Sequence, residues 1–334
     1  MLGRLRTTFR LIGSTIGWNW LGVVLSLSII TAAAVVLYRM LQNLNFSEVV
    51  TALRGYRSHD IMLAGGFVAA GYITLTFYDL FALRTIGKSH VPYRVAALAG
   101  FTSYSIGHNV GASVFTGGAV RYRIYSWHGL SAVDVAKICF IAGLTFWLGN
   151  ATVLGLGILY TPEAATHIDQ LPEWFNRTFA VATLVVLGSY VAWVWTVPRR
   201  IGRKNWEVTL PNGRLTLLQI AIGIVDLACC AFAMYMLVPA QPHVGFIEIA
   251  VIFVSATLLG FASHSPGGLG VFDAAMLVAL TRYDREELVA GLLLFRLLYY
   301  IVPFALALAV LGCRELWISV TRQRRPPPVG DPPA

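Results

Sequence analysis

Residues 101–125 read FTSYSIGHNVGASVFTGGAVRYRIY, and this polar stretch lies in a chain that otherwise reads as a set of membrane helices. It carries hydroxyl, amide and imidazole side chains, then the pair Gly117-Gly118, then Arg121 and Arg123. Unpaired polar groups are costly in hydrocarbon, so this backbone is expected to lie inside protein or beside a wet cavity. We expect the glycine pair to break the helix and free N–H groups for an anion. The stretch is therefore predicted to form half of a site for a charged head group within the bilayer.

The composition places the whole chain in the membrane. Of its 334 residues, 57% are hydrophobic and 12% are charged, and the mean hydropathy is +0.69. These values are typical of an all-α, polytopic helical membrane protein and exclude a sizeable soluble domain. The formal charge of +9 fits basic residues collected at the cytoplasmic face, so we expect no nucleic-acid partner. Four cysteines in apolar stretches, without metal-ligand spacing, predict no metal site and no cofactor.

Charge placement orders the chain into domains and spans. We assign residues 1–17 to a basic cytoplasmic N-terminus, 18–312 to the transmembrane domain and 313–334 to a disordered, basic, proline-rich tail. Single crossings are predicted at about 18–40, 60–83, 131–160, 175–197, 215–238 and 287–312.

Two further apolar regions, 94–120 and 245–280, do not fit as single crossings. If they crossed once, the basic loop 199–214 would fall outside and the acidic loop 161–174 inside, against the positive-inside rule. Both conflicts vanish if each region enters the bilayer and returns to the same side, with both termini cytoplasmic. We therefore predict two glycine-broken re-entrant hairpins.

This map gives two halves of opposite orientation, at about 18–160 and 175–312. Asp79 precedes Gly117 by 38 positions and Asp226 precedes Gly267 by 41, and a histidine precedes each glycine pair. Inverted repeats with broken helices meeting at the midplane are the architecture of many secondary transporters. The alternative left open is an ordinary bundle whose glycines only allow close helix packing.

Three ionisable residues fall inside predicted spans, namely Asp79, Asp226 and Arg296. Such residues are expensive in a bilayer and face a partner or a cavity. Asp79 lies close to a span end, so an interfacial position is the alternative. Arg296 is suited to bidentate phosphate binding, and its alternative is an internal ion pair with Asp226 or Asp273.

The glycine-rich run 263–273, SHSPGGLGVFD, lacks the Lys-Ser/Thr ending of a nucleotide loop. We expect a sharp turn whose free N–H groups start a helix and favour anions, and a tight loop without ligand is the alternative. Arg121 and Arg123 are predicted to hold a head-group phosphate at the cytoplasmic entrance, unless they only set topology. His108 and His264 are suited to proton coupling, although a buried histidine with satisfied hydrogen bonds is the commoner case.

No hydrolase elbow, zinc-protease helix or ATP-binding motif is present, so we expect no catalytic residues and transport that is passive or coupled to protons or potential.

Three segments resemble a known family, namely TSYSIGHNVGASVFTGGAVRYRIY at 102–125, FASHSPGGLGVFDAAML at 261–277 and LLLFRLLYYIVPFAL at 292–306. The resemblance is to the lysylphosphatidylglycerol synthase transmembrane-region family, the flippase-like part of the multiple peptide resistance factor and its stand-alone relatives, and it covers about residues 10–315. It implies a multi-pass protein of the bacterial inner membrane that moves a lipid between leaflets. Since the chain ends soon after its last span, the aminoacyl-transferase domain is not expected, and synthase activity is not carried over.

The predicted substrate is therefore an anionic or aminoacylated phospholipid or another lipid. The predicted substrate-binding residues, which include the positions that match family motifs, are Tyr104, His108, Asn109, Gly117, Gly118, Arg121, Tyr122, His264, Ser265, Pro266, Gly267, Gly268, Gly270, Asp273 and Arg296. Tyr299 is expected to border the path, and Asp79 and Asp226 to serve in coupling or ion pairing. Two alternatives stay open, a membrane-embedded transferase on a lipid-linked substrate and a non-transporting partner of a lipid-modifying enzyme. Homo-oligomerisation is also left open.

Overall fold

The protein is described here from a computed structural model, which covers residues 46–110, 113–197, 199–203 and 206–323. The predicted N-terminal segment 1–17, the span predicted at 18–40 and the tail beyond 323 lie outside the described residues. The first five helices are α1 Phe46–Gly55, α2 Ser58–Thr85, α3 Tyr93–Val110, α4 Ser113–Tyr125 and α5 Ala132–Tyr160. A short 3-10 turn, Ser126–His128, follows α4.

The second half of the described chain begins with α6 Pro162–Asp169 and α7 Glu173–Trp193. A small antiparallel hairpin of β1 Arg200–Arg203 and β2 Trp206–Thr209 precedes α8 Gly213–Tyr235. The remaining elements are α9 Phe246–Ser263, a 3-10 turn Pro266–Gly268, α10 Val271–Ala279, α11 Arg285–Arg296, a π-turn Leu297–Ile301 and α12 Val302–Gln323.

Six helices of the described part are long and apolar enough to cross a membrane. They are α2, α5, α7, α8, α9 and the continuous helix Arg285–Arg314. The predicted polytopic all-α class is confirmed, and the spans predicted at 60–83, 131–160, 175–197, 215–238 and 287–312 each coincide with one of these helices. The polar α3, although 18 residues long, is not among them.

Helix starts follow from local chemistry. Ser131 accepts a hydrogen bond from the Asp134 N–H, and the Asp134 side chain accepts from the Ser131 N–H, which forms a capping box before α5. The Asn212 side chain accepts from the Leu215 N–H at the start of α8. These caps satisfy N–H groups that the first turn of a helix leaves without partners.

The centre of the molecule is the packing of α8 against α2 and α5. A Cβ atom on Gly149 of α5 would lie only 2.8 Å from the Gly223 Cα of α8, so these two backbones touch directly. Next to this crossing, the buried Gln219 amide nitrogen donates to the Thr145 hydroxyl at 2.9 Å. This polar contact fixes the two helices in register inside an apolar core.

Helices α3 and α4 form a tightly packed hairpin, but the chain does not break at Gly117-Gly118 as we had predicted. Both glycines lie inside α4, so that prediction was wrong. The physical reason is close packing, since a Cβ on Gly117 would lie 3.1 Å from the Ser103 carbonyl oxygen of α3. The glycine brings the two helices together and does not interrupt either one.

The ends of each hairpin lie side by side. Before α3 and after α4, the Lys88 ammonium lies 3.2 Å from the Asp134 carboxylate, and His90 Nε2 lies 3.4 Å from the His128 carbonyl oxygen. Helices α9 and α10 also pack against each other, and Glu248 near the start of α9 lies 3.5 Å from Arg282, which follows α10. Each hairpin thus begins and ends at one place, although the re-entrant position in a bilayer and the inverted repeat stay predictions.

Two further differences concern the last helix. It continues to Gln323, so residues 313–323, which we had assigned to a disordered tail, are helical. No proline occurs in this stretch to end the helix. Earlier in the same element, the Val302 N–H donates to the Leu297 carbonyl five residues back, which defines the π-turn. Pro303 lacks an N–H, so the Tyr299 carbonyl has no α-helical donor four residues on, and this local mismatch accounts for the wide turn.

Candidate functional site

The end of α3, the glycine-rich loop 264–270 and the π-turn meet at one place, which we call the central junction. A Cβ on Gly267 would lie 3.6 Å from both the His108 carbonyl oxygen and the Tyr300 ring. The Asn109 side-chain nitrogen donates to the Tyr300 carbonyl at 3.1 Å. The first hairpin and the glycine turn of the second are therefore in direct contact, although their sequences lie more than a hundred residues apart.

The loop 264–270 forms the sharp turn that the sequence predicts. His264, Gly267, Gly268 and Gly270 all have positive φ angles, a conformation that glycine adopts freely and that is uncommon for other residues. Ser265 closes the turn through its N–H and hydroxyl, both of which contact the Ser263 hydroxyl. Helix α10 then begins at Val271.

One ion pair lies beside the central junction, between Arg121 of α4 and Asp79 of α2. The Arg121 Nε and Nη2 atoms donate to the Asp79 carboxylate at 2.7–3.1 Å, and the Tyr125 hydroxyl donates to it at 2.8 Å. The exposed fractions of the Arg121 and Asp79 side chains are 6% and 0%. The Tyr104 ring lies 4.7 Å from the guanidinium carbon, in cation–π contact.

This geometry bears on two expectations. Asp79 is fully buried within the protein, while its depth in the bilayer stays a prediction. Arg121 does not stand exposed at an entrance, because α4 turns it inward onto α2. The adjacent Tyr122 and Arg123 are exposed on the other face of α4. Helical spacing explains the split, since neighbouring residues in a helix point about 100° apart.

A second ion pair joins Arg296 at the end of α11 to Asp273 in the first turn of α10. The Arg296 Nε donates to Asp273 Oδ1 at 2.8 Å, and Nη2 donates to Oδ2. Nη1 donates to the Gly267 carbonyl at 3.3 Å, and the Tyr300 ring lies 5.6 Å from the guanidinium carbon. The alternative of an internal pair with Asp273 is thus the arrangement in the structure, and the pair with Asp226 is not.

Asp273 also occupies the helix start that we had predicted to receive an anion. Its carboxylate accepts the Gly270 N–H at 3.1 Å, so the chain supplies its own anion at the N-terminus of α10. The exposed fractions of Arg296 and Asp273 are 13% and 15%, larger than those of the first pair. Of the two pairs, this one is the more accessible from outside the protein.

Three other predicted residues lie apart from these pairs. Asp226 of α8 is buried and accepts one hydrogen bond from the Tyr78 hydroxyl at 3.0 Å. His108 lies among the rings of Tyr104, Phe261 and Tyr299, and its Nδ1 has no hydrogen-bond partner. His264 is exposed on the loop. The sequence symmetry of the two histidines therefore does not extend to their environments.

Sequence reasoning missed the tyrosines that complete the site. Tyr72 donates to the Tyr299 carbonyl at 3.0 Å, and Tyr78 and Tyr125 bind the buried carboxylates. The signal available was the presence of intramembrane carboxylates, each of which needs a donor. In the part of the chain that the structure describes, no cluster of His, Cys, Asp and Glu is arranged to hold a metal ion.

Comparison with known proteins agrees with this architecture. The family described as lysylphosphatidylglycerol synthase TM region matches residues 19–307. The chain is 32% identical over 268 residues to the uncharacterized protein slr0712 of Synechocystis sp., with 79% of this chain and 82% of that protein covered. It is 27% identical over 301 residues to the inner membrane protein YbhN of Escherichia coli, covering 87% and 91% of the two chains.

Among the relatives is also the phosphatidylglycerol lysyltransferase of Staphylococcus aureus, which is 24% identical over 280 residues. The match covers 82% of this chain but only 32% of that enzyme. The shared part is therefore the membrane region and not the whole enzyme. With its six candidate spans and a profile match over most of its length, the protein belongs to the lysylphosphatidylglycerol synthase TM region family.

Proposed function

We propose that this protein moves a phospholipid head group between the leaflets of the bacterial inner membrane. The observation that carries the proposal is that two arginines, each held by a carboxylate, lie at or beside the central junction in an otherwise apolar helix bundle. A phosphate is expensive in hydrocarbon, and a guanidinium group that is already positioned lowers that cost by bidentate hydrogen bonding.

Arg296 is the better first contact for the phosphate. It belongs to the more accessible pair, and its Nη1 is bound only to a backbone carbonyl at 3.3 Å. A phosphate oxygen would displace that weak contact while Asp273 keeps the guanidinium in place. Arg121 is the deeper second contact. The acyl chains stay in the surrounding lipid.

The proposed topology rests on the adjacent hairpin ends. Lys88 with Asp134 and Glu248 with Arg282 each join the two ends of one hairpin, which supports the return of 94–120 and of 245–280 to the side that each one entered. Charge placement favours entry of the two hairpins from opposite sides. Both termini would then be cytoplasmic. The two hairpins would meet at the central junction in the middle of the bilayer, as in transporters with inverted repeats.

The substrate we propose is an anionic phospholipid or its aminoacylated form. The name of one relative, phosphatidylglycerol lysyltransferase, concerns such lipids, and the region shared with it is a membrane region. We propose no catalytic role for this chain.

The test is head-group translocation by the purified full chain in liposomes that contain a fluorescent phosphatidylglycerol analogue. We expect wild-type protein to move the analogue faster than protein-free liposomes. Replacing Arg296→Gln is expected to lower the rate about tenfold or more, because a hydrogen bond to a charged group contributes about 1.5–3 kcal/mol. The matched control is Arg177→Gln, which removes an exposed arginine paired with Glu173.

Since Arg296→Gln leaves Asp273 without its cation, the double variant Arg296→Gln/Asp273→Asn tests binding without an unpaired charge. Equal rates for wild type and this folded double variant would contradict the proposed site. Equal rates with and without wild-type protein would contradict transport itself. Chemical conversion of the lipid, followed by mass spectrometry, would instead favour a membrane-embedded transferase.

A further inference from the structure

The buried charges of the site do not balance. Arg121 pairs with Asp79 and Arg296 pairs with Asp273, so these four groups sum to zero. Asp226 is a third interior carboxylate, and it forms no salt bridge with any residue that the structure describes. If Asp226 is ionised, the five groups together carry one surplus negative charge.

The surroundings of Asp226 offer hydrogen bonding to only one of its oxygens. Oδ2 accepts from the Tyr78 hydroxyl at 3.0 Å, whereas Oδ1 is buried and has no hydrogen-bond partner. Oδ1 faces Gly71, where a Cβ atom would lie 3.8 Å away. An ionised carboxylate with an orphaned oxygen in an apolar interior is a costly arrangement, and a bound proton removes its charge.

The groups that face Asp226 from each packed element are neutral at neutral pH. They are Tyr72 and Tyr78 on α2, Tyr104 on α3, Tyr299 on the π-turn, and Cys229 and Cys230 on α8 itself. The Arg121–Asp79 pair contacts the Tyr104 ring and forms no salt bridge with Asp226. No cation in the described surroundings is therefore placed to hold Asp226 in its ionised form.

Asp226 is nevertheless connected to the lipid site that we proposed. The Tyr78 and Tyr104 rings pack edge to face with centroids 6.0 Å apart, and Tyr104 stacks on Arg121. Tyr78 also precedes Asp79 directly in α2. Displacement of Arg121 by a head group would thus move the rings that cover Asp226.

We propose that Asp226 is a proton-binding site, and that it carries the proton that accompanies an anionic lipid head group through the protein. This inference rests on the proposed function. Proton uptake converts the carboxylate to a neutral carboxyl and brings the sum of the five groups to zero. An anionic phospholipid with one charge then enters without repulsion from a surplus carboxylate. One proton and one lipid anion move together, so the step carries no net charge.

The test is the steady-state distribution of a fluorescent phosphatidylglycerol analogue in liposomes with an imposed pH gradient. With one proton per monoanionic lipid, a gradient of one pH unit drives an asymmetry of up to about tenfold, since each factor of ten is 1.4 kcal/mol. We expect the analogue to accumulate in the leaflet on the alkaline side with wild-type protein. With Asp226→Asn, which imitates the neutral carboxyl, we expect equal amounts of the analogue in the two leaflets.

The matched comparison is Asp226→Glu, which keeps a carboxyl that can titrate and is expected to retain the asymmetry. A zwitterionic phosphatidylcholine analogue, which has no net charge, is expected to stay equally distributed between the leaflets with wild-type protein. Equal amounts of the anionic analogue in the two leaflets with wild-type protein would overturn the proposal. An unequal distribution that persists in Asp226→Asn would also overturn it.

A second measurement separates failure of this inference from failure of transport. Infrared spectroscopy of the full chain in lipid detects the carbonyl stretch of a protonated carboxyl. We expect such a band in wild type at neutral pH, its loss in Asp226→Asn and its retention in Asp273→Asn. A chain that has this band but moves no lipid would end the proposed transport and leave the proton site standing. A wild-type chain without the band would overturn the proton site.

Discussion

At the scale of single residues, the Arg121–Asp79 pair provides a stability prediction. Removing one member of a buried pair leaves an uncompensated charge, which costs about 3–5 kcal/mol, whereas replacing both by neutral residues is far less damaging. We expect Arg121→Leu to be strongly destabilising and Arg121→Leu/Asp79→Leu to recover most of the loss. Thermal unfolding of the purified protein in detergent measures both variants.

The control for this prediction is the exposed pair Arg177–Glu173, with exposed fractions of 57% and 49%. Arg177→Leu is expected to change the free energy of unfolding by less than about 1 kcal/mol. A comparable loss at Arg121 and Arg177, or a double variant as unstable as Arg121→Leu, would contradict the account of a buried and neutralised pair.

The sequence identified some of the charged residues of the site but not how they pair. It identified Asp79, Asp226 and Arg296 as ionisable groups inside predicted spans, which need partners because charges in the membrane are costly. Arg121 was predicted only as a contact for a head-group phosphate at the cytoplasmic entrance. The sequence offered the Arg296–Asp273 pair as one alternative but gave no means of joining Arg121 to Asp79. That pairing depends on how the hairpin of α3 and α4 packs against α2, which residue spacing along the chain does not encode.

At the scale of elements, the two adjacent glycines of α4 provide a matched comparison. A Cβ on Gly117 would lie 3.1 Å from the Ser103 carbonyl, whereas a Cβ on Gly118 would lie 3.8 Å from Cys139 Sγ, an ordinary contact. We expect Gly117→Ala to cost about 1–3 kcal/mol through overpacking. Gly118→Ala is expected to be neutral or to stabilise α4 by up to about 1 kcal/mol. Thermal unfolding of the two variants checks this difference.

The same glycines show why the break in the first hairpin was misplaced. A glycine pair favours a helix break and close helix packing equally well, and sequence alone does not separate the two uses. At Gly267-Gly268, the neighbouring Pro266 and Gly270 favour a turn, and the structure has a turn there. Around Gly117 no proline is near, and the helix continues.

At the scale of the whole molecule, charge placement predicts topology. The four native cysteines are first replaced by alanine, and single cysteines are then introduced as Glu207→Cys, His128→Cys, Glu173→Cys and Arg282→Cys. We expect the first two to react with a membrane-impermeant maleimide only from the cytoplasm and the last two only from outside. Labelling of His128→Cys from outside would show that 94–120 crosses the bilayer once.

Composition was sufficient to predict the positions of five of the six candidate spans among the described residues, because apolar length directly reflects bilayer thickness. The sixth, α9, lies in the region 245–280 that we had predicted as a re-entrant hairpin. Composition was not sufficient for the contact between the two hairpins at the central junction. That contact relies on single hydrogen bonds, such as the one from Asn109 to Tyr300, and on backbone proximity at Gly267.

The π-turn before Pro303 has a mechanical consequence for how the last helix is held against α2 and α3. The carbonyls of Tyr299 and Tyr300 accept from Tyr72 on α2 and Asn109 on α3, so the last helix cannot straighten without releasing both. Restoring a backbone donor by Pro303→Ala would let the helix recapture the Tyr299 carbonyl. The cost of Tyr72→Phe, about 1 kcal/mol for a lost hydrogen bond, should then fall towards zero in a double-mutant cycle. The missing N–H of Pro303 thus leaves a carbonyl of the last helix free to bind α2.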